Sequence, residues 1–384
     1  MLSKIIKTQG LDLKIFISAA EPSGDIIAGE VMDCLPSETN YLGIGGVEMQ
    51  KRGLKSFFPM EELSVMGFLE VLPRYFNIRK RIQQTVEIIL QEQPDIVLTV
   101  DAYSFHSRLA GRLRKRGFKG RLCHYVSPAV WAWKKGRAKD LAELYDEVYC
   151  IFPFEPPYFQ AHGMKAEFVG HPAAFRLHQK DPTFRTRYQL TEDPILMVLP
   201  GSRTQEIDRL YEVFLNAWEM VQITSPNLQL VVPTLPHLVA PIKVINDRYK
   251  VSATLITDSR DRFACFQEAQ AALAASGTVA LELALNKVPC VIGYKTSAIT
   301  SFIAKRLVHV KYATVLNIMA DKKLIPEFLQ DLCTPENLAA ALTLCLNNED
   351  NQRLSEGIGE QTQILKSSSG LKPQEIVAQR LLER

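Results

Sequence analysis

The stretch "ASGTVALELAL" (275–285) sets three small residues, Ser276, Gly277 and Thr278, ahead of an apolar helical run that keeps one carboxylate, Glu282. At a helix N-terminus, free N–H groups and the positive end of the dipole favour a phosphate, each effect worth up to about 1–2 kcal/mol. Glu282 stands one turn beyond Thr278 on the same face, where it can accept hydrogen bonds from ribose hydroxyls. One nucleoside diphosphate explains both features. The plainer alternative is a capped core helix with Glu282 on its wet side.

Other candidates stand where apolar runs end. "LPGSRTQEI" (199–207) offers a turn at Gly201 and Ser202 and then Arg203, whose planar fork matches phosphate or carboxylate; its alternative is a surface pair with Glu206. "DIVLTV" (95–100) ends on Asp101, placed to act as general base on an attacking hydroxyl, a contribution of about 10²- to 10⁴-fold, or to cap the following helix. His106 is a second candidate base, with a structural hydrogen-bonding role as its alternative. "SAAEPSGD" (18–25) is a tight loop opening a helix, with Glu21, Ser23, Gly24 and Asp25 able to meet an anion or hydroxyl; a simple strand-to-helix turn explains it equally. Trp131 and Trp133 either wall a sugar or acyl pocket or form a packing corner. His171 in "VGHP" sits at the end of the first half.

Two absences shape the chemistry. No G-x-G-x-x-G is present, which argues against a nicotinamide dehydrogenase. No Asp-x-Asp is present either, so a leaving diphosphate is expected to rely on Arg203 and helix N–H groups, with no metal and no cofactor.

Residues 57–82, "FFPMEELSVMGFLEVLPRYFNIRKRI", join an apolar set including Met66, Phe68, Leu69 and Leu72 to the cations Arg74, Arg79, Lys80 and Arg81. Apolar residues beside a basic cluster suit a segment dipping into anionic headgroups. Otherwise they cover the core of the first domain behind a solvated basic face.

These residues need a scaffold that collects strand ends. Short β-rich runs alternate with longer helical patterns: 13–18, 41–46, 95–100, 121–127, 147–152 and 166–170 in the first half, then 195–200, 228–233, 253–256, 271–276 and 290–294. Continuous apolar runs suit parallel strands covered on both faces, joined by right-handed crossovers. The expected fold is therefore α/β, with two Rossmann-like doubly wound parallel-sheet domains, 1–180 and 181–384, facing across a cleft and linked through 171–194. After about residue 334 the chain reads as helical to the end. A length of 384 residues fits two domains, and a net charge of only +3 gives no reason to expect nucleic acid as a partner. Seven scattered cysteines without a C-x-x-C pair fit a reducing compartment, and neither a leader nor a spanning helix is expected.

Taken together, "AEPSGD" (20–25), "MEELSVMGFLEVL" (60–72), "VDAYSF" (100–105), "HYVSPAVWAW" (124–133), "FPFE" (152–155), "VGHP" (169–172), "LPGSR" (199–203), "ASGTVALE" (275–282) and "AKRLVHVKYATVLNIMA" (304–320) resemble the lipid-A-disaccharide synthases, glycosyltransferase family 19 with the GT-B fold. The resemblance implies inverting transfer from UDP-2,3-diacylglucosamine to 2,3-diacylglucosamine 1-phosphate, releasing UDP. It implies Asp101 as the base on the acceptor's 6-hydroxyl. Arg203, Glu282 and Asn317 would then bind UDP, with Ser276, Gly277 and Thr278 around the diphosphate. It further implies a cytoplasmic enzyme touching the inner membrane peripherally through 60–72, and a homodimer formed by exchange of C-terminal parts. Ala20, Ser104 and Leu316 depart from the family's usual Gly, Asp and Pro. The competing readings are a UDP-sugar 2-epimerase of the same fold and a non-catalytic membrane-peripheral UDP-lipid binding protein.

Overall fold

The computed structural model describes residues 13–63, 71–133, 136–176, 180–275, 278–297 and 310–383. The chain divides into two units, Met1–Phe175 with Leu365–Arg384, and Arg176–Ile364.

The first unit is built on strands β1 (Lys14–Ala19), β2 (Asn40–Ile44), β3 (Ile96–Val100), β4 (Arg121–Tyr125), β5 (Glu147–Cys150) and β6 (Lys165–Phe168). All pair in parallel, in the order β2-β1-β3-β4-β5-β6. Alternate residues feed opposite faces, as the pleat requires. Phe16, Val97, Leu122 and Val148 pack under Ile82, Val86 and Ile89 of helix Val71–Glu92 and Leu109 and Leu113 of helix Tyr103–Lys115. Ile15, Ile17, Leu98 and Tyr125 pack on the other side against Ala28 and Val31 of helix Pro22–Met32. Helix Pro373–Leu382 joins that second face through Ile376, Val377, Ala378 and Leu381. Each such side chain, fully buried, is worth about 1.5–3 kcal/mol. The boundary read from sequence kept 181–384 together; the apolar face of this last helix instead returns Leu365–Arg384 to the first unit.

The second unit carries β7 (Ile195–Leu199), β8 (Gln229–Pro233), β9 (Thr254–Ile256), β10 (Ala269–Ala274), β11 (Cys290–Tyr294) and β12 (Glu327–Leu329). These also pair in parallel, in the order β12-β11-β10-β7-β8-β9. Eleven strands lie where the apolar runs predict them; β12, three residues inside "IPEFLQ", is too short to show a period. Helix Thr204–Gln222 buries Ile207, Leu210, Tyr211, Phe214, Trp218 and Val221, a spacing of three and four that keeps one face on the sheet.

Both sheets reverse direction of winding once, between β1 and β3 in the first and between β7 and β10 in the second. At such a switch point the loops leaving neighbouring strands diverge, and ligands bind outside the carboxyl ends. The segments that meet there are 20–25 with 101–102 in the first unit, and 200–203 with Ala275, just beyond β10, in the second.

Candidate active site

In the first unit the switch point brings three of the expected acceptor-site residues to Asp101. Asp101 has φ +56° and Ala102 φ +42°, two successive left-handed residues directly after β3. Each costs about 1–2 kcal/mol, strain of a kind that concentrates at functional sites. The turn is held from both sides. Asp101 N–H donates to the Tyr125 carbonyl at 2.9 Å, and the Asp101 carbonyl accepts from His106 Nδ1 at 2.7 Å. The side chain does not cap the next helix, whose cap residue is Ala102; instead Oδ1 accepts the Ala102 N–H at 2.8 Å. Burial raises the carboxyl above its ordinary value, with Ala102 and a hydrogen bond from Ser23 opposing the rise. Glu21 is raised as well, by burial and then by the Asp101 charge. Gly24 lies against the same turn: a Cβ there would sit 3.3 Å from the Val100 carbonyl oxygen and 3.8 Å from Asp101 Cβ.

One expectation fails here, and one candidate takes its structural alternative, each for a clear reason. Asp25 is buried, and its carboxylate accepts N–H bonds from Gly46 at 2.7 Å, Glu48 at 2.8 Å and Met49 at 3.2 Å. It holds the start of helix Val47–Gln50 and turns away from acceptor binding. His106 is fully buried, and burial pushes it down to about 4, so it is neutral near pH 7. With Nδ1–H on the Asp101 carbonyl, its Nε2 accepts from Ser18 Oγ at 3.0 Å. It positions the turn and is no second base. Trp131 joins the packing corner: its Nε1 donates to the buried Glu155 at 3.0 Å, among Phe152 and Phe154. His171 packs against Phe152 at 5.3 Å.

In the second unit a cavity of about 410 Å³ opens at the switch point, lined by Gly201, Ser202, Arg203, Glu206, Arg262 and Glu282 among others. Gly201 has φ +124°, and a Cβ there would fall 2.3 Å from Glu206 Oε2, so only glycine fits. Glu206 Oε2 takes the Ser202 N–H at 2.8 Å and the Arg203 N–H at 3.2 Å. These two backbone donors are thus engaged by the chain's own carboxylate. The Arg203 side chain is 79% exposed and lies 3.6 Å from Glu206, the surface pair that stood as its alternative, while still lining the cavity. Glu282, on helix Thr278–Leu285, lines the cavity and pairs with Arg262 at 3.1 Å. Ser276, Gly277 and the Thr278 side chain lie outside the described residues.

Asn317 is not in this cavity lining. It is fully buried, and its carboxamide bonds the Ile325 backbone at both ends, donating at 2.8 Å and accepting at 2.7 Å. Its neighbour Leu316 is core. The reading of Asn317 as a nucleotide ligand gives way to a local brace. Arg262 was missed, and Glu206 was read only as a surface partner of Arg203. Arg262 was legible by the same rule that found Arg203, since "TDSRDR" follows β9 as "LPGSR" follows β7.

Of the expected membrane patch, Met66, Phe68 and Leu69 lie outside the described residues, as do the side chains of Leu72 and Arg74. Arg81 is withdrawn from it. Its Nε and Nη2 bond both Glu62 oxygens at 2.7 Å, and its guanidinium lies 4.6 Å from the ring of the buried Phe58. Phe58, Met60 and Leu63 cover the core. Arg79 and Lys80 are exposed beside Phe76, which is 73% exposed. Among the described residues no helix is long and apolar enough to cross a membrane, and no group of three His, Cys, Asp or Glu is placed to hold a metal ion.

The chain is similar in sequence to the lipid-A-disaccharide synthases of Rhodospirillum centenum, 40% identical with 91% of this chain and 89% of that one covered, and Paraburkholderia phytofirmans, 38% identical with 95% and 96% covered. Among solved structures it is similar to the S. aureus MnaA–UDP co-structure, with a TM-score of 0.65, 13% identity and 96% and 95% coverage. The UDP-GlcNAc 2-epimerase from Neisseria meningitidis bound to UDP-GlcNAc gives a TM-score of 0.61 at 12% identity, with 97% and 100% covered. At such identity the structural likeness speaks for the two-domain α/β fold of the GT-B type, and not for epimerase chemistry. The model of the lipid-A-disaccharide synthetase family matches residues 15–379, and the chain belongs to that family.

Proposed function

We propose that Asp101 is the general base of an inverting glycosyl transfer from UDP-2,3-diacylglucosamine to 2,3-diacylglucosamine 1-phosphate. The carboxylate takes the proton of the acceptor's 6-hydroxyl as that oxygen attacks the anomeric carbon. The bond from that carbon to the diphosphate oxygen breaks, its electron pair leaves with UDP, and one displacement inverts the centre. Arg203 meets the charge developing on the departing diphosphate, and Glu282 accepts from the ribose. The observation that carries this reading is the doubly left-handed turn that fixes Asp101 at the switch point, hydrogen-bonded to Ser23. The test is incubation with the two acylated substrates in the presence of a chelator, followed by mass measurement of the lipid product. The acylated disaccharide 1-phosphate is expected, with turnover undiminished by chelation. UDP-lipid binding without turnover would favour a binding protein; a 2-epimerised nucleotide sugar would favour the epimerase.

Peripheral contact with the inner membrane belongs to the same reading, since both substrates are acylated. Support comes from Phe76, Arg79 and Lys80 on one exposed stretch of helix Val71–Glu92. Each cation near an anionic surface contributes about 1 kcal/mol, so reversing both Arg79 and Lys80 to Glu should weaken binding to anionic vesicles at least about tenfold. Cosedimentation measures this, and unchanged binding would leave the pair as a solvated face. A homodimer by exchange of C-terminal parts is also proposed. Helix Pro373–Leu382 is held in the first unit by Arg380 on both Glu167 oxygens, at 2.6 and 2.9 Å, contacts that a second copy's helix could make equally well. Sedimentation should show a dimer that dissociates when the chain is cut before Leu365; a monomer at all concentrations removes the proposal.

A further inference from the structure

The cavity of the second unit contains a second cation whose placement is more constrained than that of Arg203. Arg262, on helix Ser259–Glu268, sends Nη2 to both Glu282 oxygens, at 3.2 and 3.1 Å. Its guanidinium lies over the rings of Phe263 and Phe266, 5.0 and 5.8 Å from their centroids. Its Nε–H is buried and has no acceptor among the described residues. The fork is therefore gripped by two aromatic faces and one carboxylate, and it sacrifices a donor to stay there. Glu282 is shielded from solvent, which raises its carboxyl, while Arg262 and then Arg176 draw it back down. An ionised carboxylate with a cation on one edge keeps its remaining lone pairs for donors arriving from the cavity.

The geometry points to Arg262 as a specificity-determining residue of the nucleotide site: it clamps Glu282 as a two-oxygen acceptor for vicinal hydroxyls, so that the cavity selects a ribonucleotide over its 2′-deoxy counterpart. This rests on the reading of the cavity as the UDP site. A diol offers two donors side by side, matching two carboxylate oxygens held in one plane. A deoxyribose leaves one oxygen desolvated without a donor, and sites built to bond a hydroxyl reject analogues lacking it far more strongly than apolar pockets reject a missing methylene. An unclamped Glu282 rotates freely and loses that discrimination.

The test is calorimetric titration of the full chain with UDP and with 2′-deoxy-UDP. The wild type is expected to prefer UDP by at least about tenfold. Arg262→Gln should weaken UDP about tenfold and reduce the preference below about threefold, because the deoxy ligand has less to lose. Arg262→Lys keeps the charge without the planar fork and should retain more UDP affinity than Arg262→Gln while still losing the preference. Equal weakening of both ligands with the preference intact would make Arg262 a general charge and overturn the clamp, as would affinities that do not change. A wild type that binds UDP without preference overturns the clamp alone. A wild type that does not bind UDP overturns the reading of the cavity as well.

Discussion

Replacing Asp101 with asparagine lowers kcat by about 10²- to 10⁴-fold and leaves UDP affinity unchanged. Asparagine tolerates the left-handed backbone of this position, so the turn survives and only the proton acceptor is lost. The pH dependence follows from burial. The carboxyl must be ionised to act, and its value is raised, so the wild-type rate should fall on the acid side above the ordinary carboxylate range. Asp101→Asn removes that limb. Stability moves the other way. A carboxyl raised on folding favours the folded state below its unfolded value of about 3.8, and that contribution is lost as pH rises through the folded value. Near pH 7 the ionised, half-buried carboxylate is therefore a burden, and the variant should melt no lower than wild type. A steady-state assay and a melting curve on one preparation measure both effects. Full activity in Asp101→Asn would remove the base assignment.

Replacing Asp25 with alanine should produce the opposite pattern, a loss of folding with no separate catalytic defect. Three backbone N–H groups converge on this carboxylate, two of them in buried bonds. Losing an acceptor costs about 1–3 kcal/mol for each buried donor left unpaired, so the first unit should lose about 3–5 kcal/mol after water satisfies the outermost group. For a unit of this size that lowers the melting temperature by about 6–20 °C. Asp25→Asn keeps one acceptor oxygen and should fall between. If kcat per folded molecule dropped while the melting temperature held, Asp25 would belong to the acceptor site after all.

The contrast between these two aspartates marks how far the sequence could be read. Fold class was legible because the inner parallel strands, covered on both faces, write themselves as apolar runs, and the shorter edge runs recur between helical patterns. Asp101 and Arg203 were legible as candidates because each stands just beyond such a run, at a strand end where ligands collect in this class of fold, and Glu282 because it lies on the helix that follows β10. Asp25 shares a loop with Ser23 and Gly24, yet its role is decided by three N–H groups from residues 46–49, a long-range contact no local pattern announces. Asn317 fails for the same reason: Ile325 occupies its carboxamide. Arg81 sits in a basic run, and only the tertiary position of Glu62 shows that it is spoken for. Local chemistry named the candidates. Partner atoms brought in from elsewhere decided which members were free to act.

Arg121 of β4 donates to the carbonyls of Arg380, Leu381 and Glu383, and the side chains of Ile376, Val377 and Leu381 close one face of the amino-terminal sheet. A ribosome delivers that sheet first and its cover last, with the whole of the other unit synthesised in between. Maturation should therefore run out of order, the later-made Arg176–Ile364 body consolidating while the earlier one waits with apolar surface showing. Nascent chains stalled just short of residue 365 would be the ones most in need of a chaperone.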